Sequence, residues 1–151
     1  PWYKCNMTDM AAAVGLGQFE RYPGMLERRR EIIKRDDDAF KPIGIKILEH
    51  YATDRQSSGH LYITRIPGIG REQANEIMKE MSQAGISTNV HFKPLPMHTA
   101  YRRLGFDIKD YPVSYAKFEN EITLPLHTKM TDEDVEYVIE TYIGILKNIS
   151  K

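Results

Sequence analysis

The stretch NVHFKPLPMHTAY, Asn89–Tyr101, decides how the chain is read. Val90 and Phe92 alternate with Asn89, His91 and Lys93, the period-two signature of a half-buried strand. Pro94 and Pro96 then stop it, because each fixes φ and removes a backbone donor. The stiffened loop that follows carries His98 and Tyr101. A strand end presenting His91, Lys93, His98 and Tyr101 suits ligand binding or chemistry. The same four residues also fit a solvated strand face followed by a loop.

Upstream, this strand extends back to Ile86 and is preceded by Gly85, which reads as the left-handed cap of a helix. Ala74, Ile77, Met78 and Met81 give that helix its apolar face. Pro67–Gly70 is a turn; its glycines are too few and wrongly spaced for a phosphate loop. His60–Ile66 (HLYITRI) is β-branched and aromatic and reads as a strand, Thr53–Gly59 as a loop, and Ile45–Tyr51 as another strand. Strand, strand, helix, strand with short joints predicts an α+β core. Its sheet should be small, about three strands, mostly antiparallel, with helices on one face.

Nearer the start, Thr8-Asp9 predicts a helix N-terminus. Met10, Ala13, Val14, Gly17 and Arg21 share one face of that helix, and Leu16 and Phe19 widen its apolar side. Pro23-Gly24 interrupts it, and a second helix is predicted from Met25 to about Phe40. Arg28–Arg30 and Asp36–Asp38 read as a solvated face of that second helix, with pairs worth a few tenths of a kcal/mol each. Downstream, Arg102–Asp110 leads into a short helix through Tyr115 and Phe118, and Glu121–His127 is extended. Thr131–Asp134 resembles a capping box, with Asp134 in the place of the usual glutamate. Val135, Val138, Ile139, Tyr142, Ile143 and Leu146 then follow the 3.6-residue period of a long terminal helix.

The 151 residues suit one core, and a formal net charge of zero gives no pull toward nucleic acid or an anionic membrane surface. The single cysteine, Cys5, excludes an internal disulfide framework and points to a reducing compartment, hence a cytoplasmic location. No apolar run approaches the roughly 20 residues that span a bilayer. No cysteine cluster or His-x-x-x-His predicts a metal site, and no Gly-x-Ser-x-Gly predicts a nucleophile elbow. Residue chemistry alone therefore reaches an α+β domain with a candidate site near His91, His98 and His127.

Three stretches taken together add a resemblance. Tyr3–Arg21 (YKCNMTDMAAAVGLGQFER), Asn89–Tyr101 and Ile122–Glu140 (ITLPLHTKMTDEDVEYVIE) occur in an order and spacing similar to the carboxy-terminal part of the DegT/DnrJ/EryC1/StrS family. These are pyridoxal-phosphate enzymes of aspartate-aminotransferase fold type, most of which aminate nucleotide-linked keto sugars. The resemblance implies that residues 1–40 link to a missing large domain and that 41–151 form the small C-terminal domain. It places the lysine that bonds the cofactor upstream, so no catalytic residue is expected within the chain, and a fragment of this extent would be inactive alone.

The resemblance also implies roles residue by residue. Asn6, supported by Lys4, would reach the cofactor phosphate of a neighbouring subunit, which makes a homodimer the expected assembly. His91 matches the histidine of the family's Val-His-Tyr-x-Pro motif on the substrate side, with Lys93, His98 and Tyr101 as further substrate contacts. Phe92 replaces the usual tyrosine, and Pro96 stands where many members have a second histidine. The His127 segment has a chiefly structural counterpart in the family. The implied activity is amino transfer from glutamate to a nucleotide-linked keto sugar for surface polysaccharide or glycoconjugate synthesis. A sugar dehydratase of the same family, or a non-catalytic module with the small-domain fold, are the rival expectations.

Overall fold

The computed structural model describes residues 6–149. Helix α1 (Asp9–Phe19) begins where expected: the Thr8 hydroxyl accepts from the Ala11 amide at 3.2 Å. None of its residues is buried, and Met10, Val14 and Phe19 are 83%, 67% and 72% exposed. Helix α2 (Tyr22–Phe40) follows, with Pro23 in its first turn, where the missing N–H costs nothing.

Three short strands, β1 (Lys46–Ile47), β2 (Tyr62–Arg65) and β3 (Glu121–Leu124), form an antiparallel sheet in the order β1-β2-β3. Tyr62 lies opposite Leu124 and Arg65 opposite Glu121. The expected α+β architecture is therefore present, but the third strand is not Ile86–Lys93; it is the extended segment before Pro125. Asn89 exchanges backbone bonds with Thr123 at 3.1 and 2.8 Å, and there the ladder stops. The next two backbone donors go to side chains: Val90 N–H to Asn89 Oδ1 at 2.8 Å, and His91 N–H to the Glu121 carboxylate. With those donors spent, the strand cannot continue.

Strand β1 is likewise shorter than the expected Ile45–Tyr51. The chain folds back on itself, as Ser57 N–H donates to the His50 carbonyl at 2.7 Å and Ala52 N–H to that of Arg55 at 3.0 Å. Gly59 closes this loop with φ 63°, a strained backbone for other residues, and a Cβ there would stand 2.8 Å from Ile33 Cδ1, so a side chain would also have to displace the end of Ile33.

Two short helices, α4 (Thr99–Arg103) and α5 (Pro112–Phe118), lie between α3 (Arg71–Gln83) and β3 in the chain, and one face of the sheet is covered by α2, α3 and α6 (Asp132–Ile149). Helix α3 buries Ala74, Ile77 and Met81 and ends at Gly85 with φ 77°, as its pattern predicts. The start of α6 is a reciprocal cap: Asp134 N–H donates to the Thr131 hydroxyl at 3.1 Å and Thr131 N–H to the Asp134 carboxylate at 2.9 Å. At the centre, Thr64 donates to the Ile122 carbonyl at 2.7 Å, so the Tyr142 hydroxyl, 2.8 Å away, donates to Thr64. Phe40 meets the Tyr142 ring edge-on at 5.5 Å.

The two charge runs of α2 are less solvated than their pattern suggests. Arg28 donates to the Met130 carbonyl at 2.7 Å and pairs with Asp132 at 2.8 Å, while Arg29 donates to the Gly59 carbonyl at 2.6 Å. These arginines tether α2 to two distant loops. Asp37 accepts from the buried Tyr62 hydroxyl at 2.9 Å. Asp36 is only 2% exposed, because it sits one turn from both Ile32 and Phe40 on the core-facing stripe.

Burial pushes the Asp36 carboxyl up to about 8; Asp37 acts in the same direction and Arg35 opposes it. Because the folded value lies above the unfolded one, the folded state binds the extra proton. Its contribution is full below the unfolded value of 3.8 and is lost as pH rises through the folded value of about 8. Across that window the slope should approach about 1.4 kcal/mol per pH unit. The Asp36→Asn variant should flatten this slope and melt higher than wild type at neutral pH. An unchanged slope in thermal melts of the variant would show that Asp36 is not its source.

Candidate functional site

The alternation of β2 that turns Tyr62 and Thr64 into the core turns Ile63 and Arg65 to the opposite face of the sheet. There an open cleft of about 280 Å³ lies between the sheet, the His91 turn and helix α5 (Pro112–Phe118). Leu48, Ile63, Phe92 and Phe118 make its apolar wall, and Arg65, Lys117, His91 and Glu121 carry its charge and polarity. The peptide bond between His91 and Phe92 is cis.

Glu121 is 3% exposed and organises the cleft floor. Its two carboxylate oxygens each accept from the His91 backbone N–H at 3.1 Å, and Oε1 also accepts from the Thr123 hydroxyl at 2.7 Å. The Thr123 oxygen lies 3.0 Å from His91 Nδ1. Phe92 stands edge-on to the His91 ring at 4.8 Å and is 75% exposed at the rim. Below, Arg71 donates from one nitrogen to the carbonyls of Phe118 (3.0 Å) and Glu121 (3.1 Å). It thereby clamps α5 and β3 to α3. Burial lowers the Arg71 pKa from its ordinary value, while the Glu121 charge works against that shift.

Arg65 and Lys117 form no ion pair among the described residues. Glu121 lies directly across the ladder from Arg65, but its oxygens are already occupied by donors on the other side. The cleft therefore offers two uncommitted cations beside a histidine and an aromatic rim, a set able to hold an anionic group next to a polar, ring-shaped one.

Of the four expected substrate contacts, His91, Lys93, His98 and Tyr101, only His91 lines this cleft, with Phe92 of the same motif beside it. Lys93 belongs instead to a separate groove of about 530 Å³ with Arg102 and Phe106. His98 is exposed, with Nε2 3.3 Å from the Lys93 carbonyl, and Tyr101 packs against Phe106 at 6.0 Å. Asn6 is exposed ahead of α1 and does not line the cleft, and Lys4 lies outside the described residues. His127 is exposed in the turn before α6. Sequence reasoning passed over Arg65, Lys117 and Glu121. The signal for Arg65 was present, since HLYITRI alternates and Arg65 shares the parity of Ile63. A glutamate opening the apolar segment EITL was a weaker one.

Among the described residues, no group of three or more His, Cys, Asp or Glu could hold a metal ion, and no helix is long and apolar enough to cross a membrane.

Comparison with known proteins gives a consistent set of relatives. Residues 2–142 match the model of the DegT/DnrJ/EryC1/StrS aminotransferase family. The chain is 34% identical to the spore coat polysaccharide biosynthesis protein SpsC of Bacillus subtilis, over 97% of its own length and 39% of that protein's. It is 29% identical to the UDP-4-amino-4,6-dideoxy-N-acetyl-beta-L-altrosamine transaminase of Campylobacter jejuni, covering 99% of this chain and 39% of the relative. Among solved structures, it superposes on the candidate sugar aminotransferase Spr1654 of Streptococcus pneumoniae in its PLP form. That match has TM-score 0.94 and 52% identity, over 99% of this chain and 38% of the other. The same protein is also known in a PMP form. The chain thus spans about two fifths of the length of the relatives it matches.

Proposed function

Because this chain belongs to the DegT/DnrJ/EryC1/StrS aminotransferase family, we propose that its cleft is the substrate-side wall of a pyridoxal-phosphate-dependent nucleotide-sugar aminotransferase. The observation that carries the reading is the pairing of Arg65 and Lys117 with His91 and Phe92 in one cleft, on the sheet face that the long helices leave uncovered. A nucleotide-linked sugar presents that combination, with phosphates beside a polar ring.

When bound, pyridoxal phosphate supplies the carbonyl that takes an amino group from a donor and passes it to a keto carbon. The described residues do not make a complete site for it. Asn6 is exposed, and Lys117, the one lysine among the residues lining the cleft, sits on the short helix α5. The covalent anchor and the ring contacts are therefore assigned to residues outside this chain, and residues 1–40 to a link toward them, with 41–151 as the small domain. Asn6, with Lys4, is assigned to the cofactor phosphate of a second subunit in a homodimer.

Within the chain, Arg65 and Lys117 bind the substrate phosphates as charge-assisted donors. His91 contacts the sugar, and Phe92 covers its apolar face and narrows access for water. Lys93, His98 and Tyr101, in the adjoining groove and loop, would contact the parts of the substrate that extend beyond the cleft. The donor in this reading is glutamate, and the product feeds surface polysaccharide or glycoconjugate synthesis, a destination in keeping with the similarity to SpsC, a spore coat polysaccharide biosynthesis protein.

The test uses the full-length protein loaded with pyridoxal phosphate. Glutamate should bleach its visible absorbance, and UDP-4-amino-4,6-dideoxy-N-acetyl-beta-L-altrosamine should do the same in the reverse direction. A bound cofactor untouched by both compounds would overturn the transaminase reading in favour of a dehydratase. Failure to bind the cofactor at all would favour a non-catalytic module.

A further inference from the structure

His91 is held by β3 rather than by its own loop, and the protons in that arrangement can be counted. Glu121, as a carboxylate, can only accept. It takes the His91 backbone proton between its two oxygens and the Thr123 hydroxyl proton at 2.7 Å. The threonine hydroxyl has one proton, and it is spent on Glu121. Toward His91 Nδ1, 3.0 Å away, Thr123 can therefore only accept, so Nδ1 must carry the hydrogen. In a neutral imidazole the second nitrogen is then a bare acceptor. Nε2 has no partner among the described residues, and His91 lines the cleft. Glu121 and Thr123 are 3% and 5% exposed, so water does not compete for these bonds.

We infer that Glu121 and Thr123 are positioning residues that fix His91 as a hydrogen-bond acceptor at Nε2, so that this side of the cleft reads a hydroxyl of the sugar. A phosphate or carboxylate oxygen carries no proton to offer that nitrogen, whereas a sugar hydroxyl does. The cleft is thereby divided: anions go to Arg65 and Lys117, and a hydroxyl donor goes to His91. The inference rests on the sugar-side reading given above, but its first part can be tested without turnover.

The measurement is nitrogen NMR of the full-length protein labelled at histidine with 15N, at a pH where the ring is neutral. The His91 signal is assigned by its loss in His91→Asn. Wild type should show a protonated-type Nδ1 and an unprotonated-type Nε2. Thr123→Ser keeps the hydroxyl and should keep that pattern. Thr123→Val should drift toward the mixture found for histidine free in water, and its KM for the nucleotide-linked sugar should rise about tenfold, while that of Thr123→Ser stays within about twofold. A protonated Nε2 in wild type would overturn the inference, and needs no variant to fold. An unchanged tautomer in Thr123→Val would overturn it too. The predicted tautomer together with unimpaired sugar turnover in His91→Ala would overturn the hydroxyl-reading role and the sugar-side assignment, leaving only the proton count.

Discussion

Tyr142→Ala should destabilise the domain by about 3–5 kcal/mol, the range for deleting a large buried aromatic side chain. Tyr142 is fully buried, packs edge-on against Phe40 at 5.5 Å, and donates to Thr64, which in turn donates to the Ile122 carbonyl. One substitution therefore opens a cavity between α2 and α6 and leaves the Thr64 oxygen without its donor. Against a total stability of roughly 5–15 kcal/mol, this is enough to leave a large fraction of the domain unfolded. Tyr142→Phe separates the two contributions, because it keeps the ring and removes only the hydroxyl, at about 1 kcal/mol. Urea unfolding followed by far-ultraviolet circular dichroism measures both variants. Equal losses for alanine and phenylalanine would show that the hydrogen bond, not the packing, carries the effect.

That residue was legible from the sequence alone. Val135, Val138, Ile139 and Tyr142 repeat at helical spacing, and the structure buries all four. The same holds for Ala74, Ile77 and Met81 of α3, and for the antiparallel three-stranded sheet. What failed was pairing that depends on side chains. Val90 and Phe92 alternate like strand residues, yet Asn89 Oδ1 and the Glu121 carboxylate take the amides that a strand would need. No local pattern encodes a glutamate 30 residues away. Asp36 was misread for a related reason: a triple-aspartate run looks solvated, but helical phase places its first member between Ile32 and Phe40. At the site, the motif led to His91 and not to its companions. Lys93 and His98 are its neighbours in sequence, whereas Arg65, Lys117 and Glu121 reach it only through the sheet and α5.

The second large effect follows from those companions. Replacing Arg65 and Lys117 together by alanine should raise KM for the nucleotide-linked sugar about 100-fold. Each charge-assisted hydrogen bond contributes about 1.5–3 kcal/mol, and about 1.4 kcal/mol is a factor of ten. Both side chains are solvent-accessible, so the lower end of that range applies to each, and two together give the estimate. Neither side chain holds a structural partner among the described residues, so the double variant should melt close to wild type. Rising salt should weaken sugar binding in wild type more than in the variant.

Amino transfer proceeds in two halves, and the proposed sugar-side role of this cleft involves it in only one of them. The deciding measurement is therefore single-turnover kinetics of each half-reaction in full-length wild type and in Arg65→Ala/Lys117→Ala, followed by cofactor absorbance. The rate with glutamate should stay within about threefold of wild type, while the concentration of nucleotide-linked sugar needed for half-maximal rate rises about 100-fold. A sugar half-reaction that is unchanged, or a glutamate half-reaction that falls equally, would contradict the assignment of this cleft to the sugar side.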